Sequence, residues 1–173
     1  MHPDTNFHIL VFDIIYGAPE FRYNFYKGIP FVAITAQARK LHAERTEKAE
    51  KLYADLLKAQ ERAALLKEAQ DYFASVLHVG MQVKHRMFGV GEIRSLGDVY
   101  ANSSTMTVFF PKKNEEKAFQ IMLSFAGGFI TAEIEGMAEN VALYRSVINA
   151  QSSIGNNLKS AQRAFEPYKE YLN

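Results

Sequence analysis

Lys and Arg number 20 against 19 Asp and Glu in a chain of 173 residues, leaving a formal net charge of +1. That near-balance excludes the strong basic excess of a dedicated nucleic-acid binder, and the length suits one ordinary domain or two small ones. Hydrophobic residues at 48% supply a core, and the absence of cysteine removes disulfides, thiol nucleophiles and cysteine-built zinc sites, which fits a cytoplasmic protein.

Residues 1–34 are rich in aromatics. "NFHILVFDIIYGAPEFRYNFYKG" predicts two strand-like runs around a turn at Gly17-Ala18-Pro19, with Phe21, Tyr23 and Phe25 alternating against Arg22 and Asn24. Such interleaving can stack on single-stranded nucleic acid. With only Arg22 and Lys27 as cations, packing onto a neighbouring part of the chain is the better reading. The apolar run "ILVF" is broken by Asp13, well short of the roughly 20 residues a spanning helix needs. Asp4 stands where an export signal would carry positive charge, so no membrane association is expected.

Residues 35–78 predict a long helix. From Ala36 to Val76 there is neither Gly nor Pro, and the strong helix formers Ala, Leu, Glu, Lys, Gln and Arg dominate. Steps of four and three from Ala38 trace His42, Arg45, Ala49, Leu52, Leu56, Ala59, Ala63, Leu66, Gln70 and Phe73, a mostly apolar seam. A helix of about 60 Å outruns any small globule at 1.5 Å per residue, so it needs a helical partner. Residues 136–173 offer one, with Val141, Tyr144, Ile148, Gln151, Leu158, Ala161, Phe165, Tyr168 and Leu172 at matching spacings. "SSIGNN" predicts a bend or a break into two helices there, and Pro167 an end or kink near Glu166. The pairing is expected within one chain as an antiparallel coiled hairpin, with a coiled-coil homodimer as the rival.

Between these arms, residues 79–135 predict short strands at Met81–His85, Val90–Leu96, Thr105–Phe110 and Glu116–Ile121, then a helical turn at "SFAGGFI" and a closing strand. The expected architecture is α+β, a small barrel between two long helices. "VKHRMFGVGEI" supplies its corner. Gly89 and Gly91 are expected to take positive φ there, with Phe88 plugging the open end. They are not a dinucleotide loop, because Gly97 comes too late for a G-x-G-x-x-G fingerprint and a strand follows.

Gly80, Val83, His85, Phe88-Gly89, Gly91, Ile93, Val108, Phe110, Lys117, Phe119, Phe125 and Ile130 resemble the SH3/Tudor-like barrel at the C-terminus of UvrD/PcrA-type helicases and of similar uncharacterised bacterial proteins. The resemblance covers residues 79–133 and implies a barrel that docks on RNA polymerase or DNA. No Walker A pattern accompanies it, so no helicase motor is expected.

Catalysis has little support. The histidines at 2, 8, 42, 78 and 85 form no i, i+3 or i, i+4 pair, so neither a metal nor another cofactor is expected. Ser103 and Ser104 have no base beside them in sequence, and His85 reads as a structural residue bonding the backbone of the following turn. The cations Arg86, Lys112, Lys113 and Lys117, with Phe88 and Tyr100 as apolar anchors, are the expected binding residues. The leading reading is a non-enzymatic adaptor docking on a protein machine such as the bacterial transcription apparatus. Nucleic-acid binding through the basic loops is the alternative, and an inhibitor from a mobile element is a third.

Overall fold

The computed structural model describes residues 31–172. The aromatic strand-like runs expected in residues 1–34 lie outside the described residues, and 31–34 are helical. The architecture is α+β: a long helix, a curled five-stranded antiparallel sheet, then further helices.

Helix α1 spans Phe31–Val76, 46 residues, and begins earlier than the composition indicates. The chain divides into two compact units, one comprising Tyr53–Phe165 and the other the residues up to Leu52 with Glu166–Asn173. In the larger unit, β1 (Gln82–His85), β2 (Gly89–Leu96), β3 (Thr105–Phe110), β4 (Glu115–Gln120) and β5 (Ile130–Thr131) order as β4-β3-β2-β1-β5. Hairpins join β1 to β4 into an antiparallel meander, and after α2 the chain returns to set β5 beside β1 at the opposite edge. β4 and β5 are opposite edges and do not pair with one another, so the sheet stays open rather than closing on itself. Helices α2 (Ile121–Ala126), α3 (Met137–Asn149) and α4 (Gln151–Phe165) complete the unit, and a 3₁₀ helix follows over Glu166–Leu172.

Alternation puts Val83, Ile93, Met106, Val108 and Phe110 on one face of the sheet. That face is buried against Phe73 and Leu77 at the end of α1, against Ile121, Met122 and Phe125 of α2, and against Met137, Val141 and Ile148 of α3. Phe73 and Phe125 bring their rings to 5.4 Å, which ties the long helix to the sheet's cover. The register of β2 against β3 slips between Ile93 and Ser95, making Arg94 the extra residue of a bulge. The hydroxyl of Tyr72 is buried with no hydrogen-bond partner, and burial holds its pKa up. The nearby Asn140 amide, whose pull on the hydroxyl is downward and smaller, donates instead to the Gly136 carbonyl at 2.8 Å.

The seam of α1 is real in its burial. Ala38, Ala49, Leu56, Leu66 and Phe73 are buried, and Arg45, Leu52, Ala59, Ala63 and Gln70 are half-buried; His42 alone of that series is exposed. In the larger unit Tyr53 meets Phe165 of α4 at 5.4 Å. In the smaller unit Lys48 donates to the Tyr168 hydroxyl at 2.7 Å and Arg45 to that of Tyr171 at 2.8 Å. Within that unit rising numbers on one segment meet falling numbers on the other, so they run antiparallel.

The C-terminal arm breaks into two helices at Ala150 and not within "SSIGNN", which is helical inside α4, and α4 ends at Phe165, just before Pro167 removes a donor. Gln151 and Ile154 are its buried residues. Ile154 is missing from the expected spacing, and Leu172 is exposed where it was expected to face inward. The reason is the change of helix. A 3₁₀ helix returns every third residue to one face, so Phe165 and Tyr168 are followed inward by Tyr171.

Candidate functional site

The β1–β2 turn is built by a three-residue loop, Arg86 to Phe88, closed by the His85↔Gly89 pair. Gly89, which closes this loop as the first residue of β2, takes the left-handed φ of +79° that reverses the chain. Gly91 does not have positive φ, which corrects the corner expected there. Its requirement is space: a Cβ would sit 2.7 Å from the carbonyl oxygen of Phe109, from Cδ1 of Phe110 and from Cγ1 of Val108. One glycine serves the turn and the other serves the close packing of β2 on β3.

His85 is buried and points its Nδ1 at the turn, accepting from the N–H of Met87 at 3.0 Å and of Phe88 at 3.3 Å. Backbone N–H groups only donate, so Nδ1 is unprotonated and the neutral ring carries its proton on Nε2. Burial, and secondarily the Arg86 charge, hold its pKa below the usual histidine value. The ring also packs against Phe88 at 4.7 Å, Phe119 at 5.1 Å and Phe110 at 5.9 Å. Phe88 is therefore half-buried in an aromatic cluster and braces the turn from beneath instead of standing free as an anchor.

The register fixes which loops share an end of the sheet. Gly89 opens β2 opposite His85, Phe110 closes β3 opposite Glu115, and Ile130 opens β5 opposite His85. The β1–β2 turn, the Pro111–Asn114 turn and the approach to β5 thus lie together. Asn114 accepts φ +50° to make the second of these turns. The Lys112 side chain passes 3.9 Å from the place a Cβ on Gly89 would take, so the two turns are in contact.

Of the expected binding residues, this end holds Arg86, Phe88, Lys112, Lys113 and Lys117. Lys117 is occupied locally, pairing with Glu115 at 3.0 Å and lying 5.8 Å above the Phe88 ring. Lys84, Arg86, Lys112 and Lys113 meet no carboxylate among the described residues. Tyr100 is elsewhere, in the β2–β3 loop at the opposite end. Its hydroxyl donates to Asp71 at 2.8 Å, Gln70 donates to its carbonyl at 3.1 Å, and Lys67 donates to the other Asp71 oxygen at 2.8 Å. The Lys67 and Tyr100 hydrogen bonds hold the Asp71 carboxyl below its ordinary pKa. Tyr100 thereby fastens its loop to α1.

Residues that pattern reading passed over complete the site. Met87 is 74% exposed at the turn's tip and Phe129 is 52% exposed beside it, with Val90 also exposed. Phe129 is held in place: its N–H donates to the Ser124 carbonyl at 2.9 Å, and its own carbonyl accepts from Arg86 N–H at 3.2 Å. Its ring lies over Gly127, where a Cβ would come within 2.7 Å of Cε2. The signals were a methionine inside a turn and a phenylalanine directly after paired glycines. Among the described residues no three His, Asp or Glu side chains gather as a metal site requires, and no helix is long and apolar enough to cross a membrane. Compared with known proteins, the chain matches no family model, no curated protein and no solved structure.

Proposed function

We propose that the chain is a non-enzymatic binding module, an open, SH3/Tudor-like half-barrel with α1 and the C-terminal arm as an antiparallel coiled hairpin, working in the cytoplasm as an adaptor to a protein machine. The observation that carries the reading is the exposure of Met87 and Phe129 on a pinned backbone, among cations that meet no described carboxylate. Large apolar groups rimmed by polar ones mark interaction surfaces, and pre-ordered aromatic anchors dominate binding energy. The resemblance to the helicase barrel supports a bacterial partner such as a component of the transcription apparatus. The cations that meet no carboxylate among the described residues favour nucleic acid as the second reading.

Site-specific photo-cross-linking in cells tests this, with the reactive residue at Met87 and a control at Leu143, which is 65% exposed on α3. The expected result is a discrete adduct from position 87 that protease removes and nuclease leaves intact. Nuclease-sensitive adducts would transfer the site to the nucleic-acid reading. No adduct, or the same adducts from both positions, would overturn the module.

A further inference from the structure

We infer that this end of the sheet receives an acidic protein segment that seats one apolar side chain between Met87 and Phe129; the inference rests on the binding-module reading and adds the partner's chemistry. Charge complementarity selects the occupant. Arg86 precedes Met87 in its turn and bonds the Phe129 carbonyl, and Lys112 and Lys113 lie in the turn that touches Gly89, none with a described carboxylate, whereas Arg94 and Lys117 already pair with Glu92 and Glu115 at 3.0 Å each. Carboxylates arriving from a partner would satisfy the free set and steer the encounter.

A phosphodiester strand fits less well. Glu115 and Glu116 follow directly on the lysine turn, so a continuous polyanion would run into like charge. A peptide spaces its charges by residue choice and also supplies the aliphatic or aromatic group that a thioether and a phenyl ring favour. The backbone is ready for it. His85 fixes the N–H groups of Met87 and Phe88, and the Arg86 N–H holds the carbonyl of Phe129, so little backbone remains to be ordered on binding.

The test titrates the isotopically labelled full chain, followed by NMR, with a short Glu/Asp peptide carrying a central Leu-Phe pair, with the same peptide carrying Ser-Ser there, and with an oligothymidylate of matched charge. The expected result is shifts at Met87, Lys112 and Phe129 with the apolar peptide and about tenfold weaker binding without the pair. The paired change Met87→Ser and Phe129→Ser, at exposed positions that leave the core intact, should cost a similar factor. Lys112→Glu with Lys113→Glu should slow association and flatten its salt dependence. Equal binding of the Ser-Ser peptide, tighter binding of oligothymidylate, shifts centred elsewhere, or no binding at about millimolar peptide would each overturn the acidic occupant. If a protein nonetheless cross-links at position 87, the module reading survives that failure. If nothing cross-links there, both fall.

Discussion

Gly91→Ala isolates packing from backbone conformation. The added methyl would meet three heavy atoms at 2.7 Å, one of them the backbone oxygen of Phe109. Carbon contacts are comfortable at roughly 3.5–4.0 Å, so β2 and β3 must separate by on the order of 1 Å at a buried pair of strands. Phe110 and Val108 are fully buried and cannot yield freely. Overpacking of this kind costs about 1–3 kcal/mol, and the carbonyl contact places Gly91→Ala toward the upper end. Gly89 is the natural comparison, because it has φ +79° but open space, with only Lys112 Cδ at 3.9 Å. Gly89→Ala therefore carries only the left-handed penalty of about 1 kcal/mol, partly offset by a less flexible unfolded chain. Gly89→Asn should be milder still, since asparagine visits that region. Urea unfolding of the variants, compared at constant m-value, measures the differences. A Gly91→Ala protein within about 0.5 kcal/mol of wild type, or less destabilised than Gly89→Ala, would refute the packing argument.

Leu56→Asp should destabilise by more than about 3 kcal/mol, because it places an unpaired charge at a buried seam position; a dilute-solution dimer that this change dissociates into folded monomers would instead assign the seam to a homodimer. The folded pKa of His85 is lowered, so the unfolded chain binds the extra proton first. Its contribution is thus fully present above the unfolded value of about 6.5 and is lost as pH falls through that value toward the lower folded one. Thermal unfolding of His85→Asn followed from pH 8 to 5 should show a flatter profile than wild type, with a parallel profile counting against it. Tyr72→Phe should leave stability unchanged or raise it by up to about 1 kcal/mol, since the hydroxyl it removes is buried and unpartnered. A clear loss on calorimetry would mean that a bound water serves that hydroxyl.

Much of the local structure was legible. An uninterrupted run of helix formers has no alternative to a helix, and α1 ends at Val76, ahead of the Gly80 that composition marks as a stop. Thr105–Phe110 is a strand by β-branched and aromatic content alone, but the break in the C-terminal arm falls at Ala150, and the weak helix formers around Gly155 remain helical within α4. The role of His85 was also readable, because a histidine directly before a tight turn is within reach of the next N–H groups. The open sheet was not: whether β4 meets β5 depends on accumulated twist and on the length of β5, which no local pattern encodes.

The candidate site shows the same division. Sequence by itself determined its chemistry, the cations of two turns and the glycine that lets one of them reverse, because φ preferences and turn propensities act over a few residues. Only the tertiary structure decided membership. The β-register brought residues near 86, 112 and 129 to one end and sent Tyr100 to the other, where Asp71 claims its hydroxyl. Burial then exchanged the roles of neighbours, drawing Phe88 under the turn and leaving Met87 outside. Both are large apolar residues in one loop, and adjacent positions differ in exposure only through what packs beneath them, which is a property of strands distant in sequence.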